Sequence, residues 1–326
     1  MNILVTGAAG YIGSVVAEEL IKEGHSVIAL DNLQQGRCQA IYSEATFVQI
    51  DLADKEGLKK VVNNYSIEAV MHLAAETSVG FSMSDPQRYF TSNVVYGLNL
   101  LEAMLEYGVR KMVFSSSAAV YGEPDQIPIT EEAPEKPANA YGESKLLFEK
   151  ILAWYGKAYN LKHISLRYFN AAGATMRLGE DHRPETHLIP NVLKVALGQL
   201  PCVEVFGIDY PTPDRSCIRD YIHVVDIAQA HVLALNSLNG HCARIYNLGN
   251  GEGFSVLEVV QAAREVTGAE IPVWITGRRV GDPAILVASS KRISTELGWK
   301  PKYPDLKEII ATAWEWHKRH PNGYEV

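Results

Sequence analysis

Gly7, Gly10 and Gly13 recur every third residue between two patterned segments. Before them stands a short apolar run, Ile3-Leu4-Val5, and after them Ser14 to Glu23 places Val15, Val16, Leu20 and Ile21 at helical spacing. Strand, glycine turn and helix at the start of the chain constrain its fold more than any other feature. Such a turn aims main-chain N–H groups at a ligand, and the helix dipole favours an anion there. Gly7 permits the tight turn, Gly10 the approach of a pyrophosphate, and Gly13 the packing of helix on strand. Asp31 stands eighteen residues past Gly13, at the end of a second apolar run, Val27 to Leu30. A carboxylate in that position accepts ribose hydroxyls and repels a 2′-phosphate. The expected cofactor is therefore NAD rather than NADP.

Strand-like and helix-like segments then alternate. Strands are expected at Thr46–Ile50, Ala69–Leu73, Met112–Ser115 and Ile164–Tyr168, and helices at Lys55–Asn64, Pro86–Tyr107 and Ala140–Tyr159. Alternation of this kind predicts an α/β fold with a doubly wound, Rossmann-type parallel sheet, whose ligands sit at the carboxyl ends of its strands. From Phe169 the pattern changes. Residues 171–190 are irregular, and long irregular stretches in compact proteins are often functional. Beyond them we expect helices at Ile189–Leu197, Val224–Leu235, Val256–Thr267 and Leu306–Arg319, with strands at Val203–Phe206 and Arg244–Leu248. This predicts a dinucleotide-binding domain over 1–168 and a smaller α/β lobe over 169–326, with residues around 222–250 packing back on the first domain. Two helices carry more apolar residues than one core face needs: Val94, Val95, Leu98, Leu101 and Leu105 on one, Leu146, Leu147, Ile151, Trp154 and Tyr155 on the other. The excess predicts a homodimer built on this helix pair.

The chain has 326 residues, 47% of them hydrophobic, and a net charge of −8. It has no basic run, so nucleic acid is not an expected partner. Cys38, Cys202, Cys217 and Cys242 form no metal or redox spacing, and no metal is expected. They read as free thiols in a reducing compartment. The first residues lack a basic segment followed by a long apolar core, and no run reaches the length of a membrane span. The expectation is a cytoplasmic protein without membrane contact.

The chemistry is concentrated in two short stretches. Tyr141-Gly142-Glu143-Ser144-Lys145 opens a helix, so Tyr141 and Lys145 share a face at i and i+4. A phenol with a pKa of about 10 is a poor base at neutral pH. A neighbouring ammonium favours the phenolate, and Lys145 can supply that charge while donating to ribose hydroxyls. Ser117, in the hydroxyl-rich end of the Met112-to-Ser117 run, can bond a substrate hydroxyl and relay its proton to Tyr141. Ser115 can touch the nicotinamide end of the cofactor, and Ser116 caps the strand.

Taken together, several motifs resemble nucleotide-sugar enzymes of the extended short-chain dehydrogenase/reductase superfamily, specifically its NAD-dependent epimerase/dehydratase family. They are the glycine turn, the Ser117/Tyr141/Lys145 set, Arg167-Tyr168-Phe169-Asn170, Arg183 to Pro190, Arg219 to Val224, Tyr246 to Gly251, and Trp316-His317. The likeness runs nearly end to end. It implies that Tyr11, Ile12, Asp31, Asn32, Asp51, Leu52, Leu73, Ala74, Ala75, Asn93 and Phe169 border NAD. It also implies that Asn170, His187, Leu188, Val205, Phe206, Arg219, Arg279 and Asp282 hold a UDP-sugar. The chemistry agrees: arginine suits a diphosphate, Asp282 can take ribose hydroxyls, and Phe206 can lie against uracil. Thr77 stands where members often carry Lys, and His187 where many carry Asn. The implied activity is reversible inversion at sugar C4 through a 4-keto sugar with retained NAD. UDP-glucose and UDP-galactose are the implied main pair, and UDP-N-acetylhexosamine the alternative, with Ile285 as the wall residue that discriminates. A 4,6-dehydratase would need an acid–base pair where Ala118 and Ala119 stand, and a UDP-glucuronate decarboxylase a Glu near Ala119. A protein that only senses NAD has no need of Tyr141 and Lys145.

Overall fold

The computed structural model describes residues 1–240, 243–279 and 282–324; Cys242 and, in the Arg279-to-Ile285 loop, Val280 and Gly281 lie outside the described residues. The central sheet contains β1 (Asn2–Thr6), β2 (Ser26–Asp31), β3 (Thr46–Gln49), β4 (Ala69–His72), β5 (Lys111–Ser117) and β6 (Lys162–Tyr168), with Ala243–Leu248 beyond β6. From one edge the order is Ala243–Leu248, β6, β5, β4, β1, β2, β3. Every neighbouring pair is parallel. The chain winds one way from β1 to β3 and the other way from β4 onward. The crevice at that reversal opens at the carboxyl ends of β1 and β4, where such sheets bind ligands.

Burial on both faces explains why these strands read as continuous apolar runs. Ile3, Leu4 and Val5 are wholly buried. Ile3 and Val5 join Val15, Val16 and Leu20 of the Tyr11–Lys22 helix and Ile227 and Leu235 of the Val224–Ser237 helix. Leu4 faces the other way, with Leu58, Leu100, Met104, Phe148 and Leu152 from helices Lys55–Asn64, Tyr96–Glu106 and Ala140–Tyr159. A third core joins Val192, Leu193, Val259, Val260, Ile309 and Ile310 in the smaller lobe.

Three differences from expectation bear on the site. The first helix starts at Tyr11, so Gly13 lies inside its first turn rather than before it. β5 continues two residues past Ser115, which carries Ser117 to the strand's end. The expected Pro86–Tyr107 helix is three pieces: Pro86–Phe90, a π-turn over Thr91–Val95, and Tyr96–Glu106. A π-turn inserts a residue into the helix and is frequent at functional sites. In the smaller lobe, Val203–Phe206 pairs with Val273–Thr276, and Ile218–Arg219 lies between Phe254–Ser255 and Ile285–Leu286. Asn170–Ala172 pairs with Tyr221–His223. Strands of two and three residues carry no readable period, so the sequence pattern does not disclose most of these. No described helix is long and apolar enough to cross a membrane.

Candidate active site

The glycine turn is built as close as main chain allows. Gly7 has φ +73°, and a Cβ there would lie 2.6 Å from the Ala74 nitrogen. A Cβ on Gly13 would fall 2.0 Å from the Gly7 carbonyl oxygen. A side chain at Gly7 would push the turn off the Leu73-Ala74 segment, and one at Gly13 would push the helix off the turn. Gly10 is the helix N-cap, without a capping side chain and without an acid in the first turn. The first-turn N–H groups of Tyr11 and Ile12 are therefore left for an anionic ligand. Asp31 closes the far side of the turn. Its Oδ2 accepts from the Ala9 N–H at 2.9 Å and its Oδ1 from the Leu33 N–H at 2.8 Å. Each carboxylate oxygen keeps a lone pair for a ribose hydroxyl. Beside it Asn32 donates to Asp51 at 2.7 Å, and Leu52 is buried beneath. The donor set and the closed glycine cradle fit a dinucleotide with a free 2′-hydroxyl.

The end of β4 forms the next part of the rim. Leu73 donates to the Thr6 carbonyl, and Ala74 to the Thr6 hydroxyl at 3.4 Å. Asn93, turned inward by the π-turn and 3% exposed, accepts from the Glu76 N–H at 2.8 Å. It donates to the Glu76 carbonyl at 3.0 Å and to Ser144 Oγ at 2.9 Å. Its amide thus ties the Leu73-Ala74-Ala75 segment to the helix that carries Tyr141.

Asn139 caps that helix by accepting from the Gly142 N–H at 2.8 Å, which fixes Tyr141 in its first turn. Tyr141 is half-buried. Burial pushes its phenol above the ordinary value, and a hydrogen bond with Ser117 pulls it back down. Ser117 Oγ also accepts from the Ala119 N–H at 3.1 Å. Lys145 is 2% exposed, and its Nζ donates to the Ser115 carbonyl at 2.9 Å. It lies 5.9 Å from the centre of the Tyr141 ring. Burial lowers its pKa to about 7, with Glu149 pulling upward. An ammonium and a phenolate that share one dry site stabilise each other, because forming both leaves no net buried charge.

Behind these residues lies a network that the local sequence pattern does not assign to the site. Arg167, wholly buried in β6, donates to both oxygens of Glu149, to Glu135 and to the Tyr121 hydroxyl. Ser116 donates to Glu149, and Tyr121 to Asn247 at 2.7 Å. Ser116 is thus a brace for the helix rather than a strand cap. Glu149 lies one turn after Lys145 on the same helix, and that i, i+4 spacing is the signal the sequence does contain. Asp220 is also new: it accepts from the N–H groups of Asn250, Gly251 and Ala288, and burial raises it to about 6.

Phe169 donates its N–H to the Leu248 carbonyl, and Asn170 its N–H to that of Asp220. The end of β6 is thereby joined to the strand bearing Arg219. Arg219, 8% exposed, pairs with Asp282 at 3.0 Å. Arg279 lies 3.7 Å above the centre of the Phe206 ring, so the aromatic face expected for uracil carries a guanidinium. Val205 is buried, on the opposite face of its strand from Phe206. His187 N-caps the Leu188–Ala196 helix with its main chain, and its ring meets Glu185 and Glu180.

Known proteins resemble this chain over its whole length. Residues 3–249 match the model of the NAD dependent epimerase/dehydratase family. A UDP-glucose 4-epimerase from Halalkalibacterium halodurans is 53% identical, covering 100% of this chain and 98% of its own. A crystal structure of UDP-glucose 4-epimerase superposes with a TM-score of 0.97 at 54% identity, over the whole of both chains. The enzyme of that name from Bifidobacterium longum, in complex with NAD+ and UDP, does so at 0.96 with 38% identity, covering 99% of this chain and 100% of its own.

Proposed function

The chain belongs to the NAD-dependent epimerase/dehydratase family, and we propose that it interconverts UDP-glucose and UDP-galactose by inverting sugar C4. One juxtaposition carries this most: Ser117 and Tyr141 meet at the end of β5, Lys145 is anchored on the Ser115 carbonyl, and Ala118 and Ala119 follow. The set can move one proton to and from a hydroxyl, while the next two positions offer no acid or base for eliminating water or carbon dioxide. Bound NAD, cradled by the glycine turn and Asp31, would supply reversible uptake of a hydride from the sugar. Tyr141 takes the C4 hydroxyl proton, directly or through Ser117, and returns it to the 4-keto oxygen once the sugar has turned about its diphosphate to present its opposite face. Lys145 holds the phenolate form and the ribose. Because the cycle ends with no net redox change, NAD stays bound; because the keto sugar must turn, the UDP part is held firmly and the hexose loosely. Arg219, Arg279, Asp282, Phe206, Asn170, His187 and Leu188 are the residues we assign to the nucleotide. Arg219 and Arg279 have partners that a diphosphate and a uracil can replace, which favours exchange on binding.

We further propose a cytoplasmic homodimer. Val94, Leu101 and Leu146 are spent in the core, but Val95 is 49% and Trp154 67% exposed. Between the two helices lies a groove of about 420 Å³ that includes Val95, Leu98, Leu105, Tyr155 and Tyr159. A second copy of the same helix pair would cover it.

The test is conversion of UDP-galactose by the purified chain with no NAD added. Appearance of UDP-glucose is the expected result. If turnover requires stoichiometric NAD and yields an oxidised product, the chain is a dehydrogenase instead.

A further inference from the structure

The segment before the Leu188–Ala196 helix carries Glu180, His182, Glu185 and His187 in a stretch without regular secondary structure. Each offers one ligand-capable atom, and these four atoms all lie within 4.8 Å of one another. The proposed proton chemistry uses none of the four, and only His187 among them is assigned to the nucleotide. We infer that this cluster is a binding site for a divalent transition-metal ion of the zinc class.

The donor types suit it. Two imidazole nitrogens and two carboxylates form a mixed nitrogen and oxygen set of the kind that zinc accepts in four-coordinate sites. The donors already converge, at hydrogen-bond separations that must widen slightly to admit an ion. Ligands about 2.1 Å from a tetrahedral ion stand about 3.4 Å apart. Here His182 Nδ1 is 3.0 Å from Glu180 Oε1 and 3.9 Å from Glu185 Oε2. His187 Nδ1 is 2.8 Å from Glu180 Oε1 and 2.9 Å from Glu185 Oε1. Both rings present Nδ1 to the same two carboxylates. Hydrogen bonding alone satisfies this poorly: a ring nitrogen carries at most one hydrogen, yet His187 Nδ1 faces two carboxylate oxygens. A dication among these atoms meets all four donors at once and offsets both negative charges.

The surroundings hold the cluster together. Glu180 is 7% exposed. Asp181, between two of the ligands, binds Arg37, Arg183 and the Tyr324 N–H instead. Arg37 in turn donates its N–H to the Ala9 carbonyl in the glycine turn. His187 is both ligand and N-cap residue of the Leu188–Ala196 helix. The ion is a structural clip: it fixes the 180–187 segment beside the cofactor loop and sets the direction of that helix. Its link to nucleotide binding rests on the function proposed above; its existence does not.

The experiment uses the full chain without a histidine tag, stripped with a chelator and dialysed. Zinc chloride is titrated in by calorimetry, and retained metal is counted after gel filtration. The expected result is one zinc per chain and a higher melting temperature. His182→Gln, at a partly exposed position, should lose retention, and Glu180→Gln should do the same. Cobalt in place of zinc should give visible ligand-field bands that His182→Gln abolishes. Failure of the stripped chain to retain zinc overturns the site, as does equal retention by both variants. Epimerase activity is scored separately, so an active chain that binds no zinc defeats this inference and leaves the function standing.

Discussion

At the scale of single residues, Tyr141 and Lys145 carry the heaviest demands. Tyr141→Phe should fold and retain NAD but lose turnover by roughly a hundredfold to ten-thousandfold, the usual value of a positioned proton acceptor. Steady-state assay of the purified variant decides it, and near-normal turnover would remove Tyr141 from the mechanism. Lys145→Met takes away the cation that the site places against the phenol. Its remaining activity should rise with pH beyond the wild-type optimum, because the phenolate must then form unaided; an unchanged pH profile would sink that role. Asp31→Ala should reduce retained NAD more than it reduces NADP, measured as nucleotide bound after gel filtration. These residues are legible because their spacing is local: Tyr141 and Lys145 on one turn, Asp31 at the end of an apolar run. Arg167 with Glu149 and Glu135, and Asp220 with its three N–H donors, are not, since their partners are brought together only by the sheet.

At the scale of elements, strands buried on both faces and long helices announce themselves by period. The π-turn does not, because its one inserted residue leaves the apolar pattern of Pro86 to Tyr107 intact. Yet that residue turns Asn93 inward to join two rims of the site. Asn93→Leu should therefore lower both NAD retention and turnover while the melting temperature falls by only a few degrees, read by parallel thermal and activity measurements. The strand Ile285–Leu286 is equally silent at two residues long. It sits beside Ile218–Arg219, with Ile285 opposite Ile218. Ile is stiff at χ1 and of middling bulk. Ile285→Tyr should depress conversion of UDP-N-acetyl sugars and spare the glucose pair. Equal loss on both pairs, or none on either, would mean that Ile285 does not face the sugar.

At the scale of the whole molecule, buried imidazoles govern the response to acid. Burial holds His72 at about 3 and His163, His223 and His231 at about 4. Unfolded, each takes up a proton near pH 6.5. Stability from these groups is thus complete above pH 6.5 and is lost as pH falls toward 4. Asp220, raised to about 6, and Asp31 and Asp226, also raised by burial, work in the opposite direction over part of that window, three carboxyls against four imidazoles. Melting temperature should drop steeply between pH 6.5 and 4, and His163→Leu should flatten the slope, since neither nitrogen of that ring has a partner among the described residues. Trp154→Glu should yield a folded monomer by sedimentation if the exposed helix pair is the dimer contact. The central claim, however, is that one hydrogen leaves C4 as hydride and returns to the same carbon. UDP-galactose deuterated at C4, incubated with the purified chain and no added NAD, tests it most directly. The account predicts UDP-glucose with the deuterium still at C4. UDP-glucose carrying solvent hydrogen at C4 would mean that the carbon gave up a proton instead, and would contradict it.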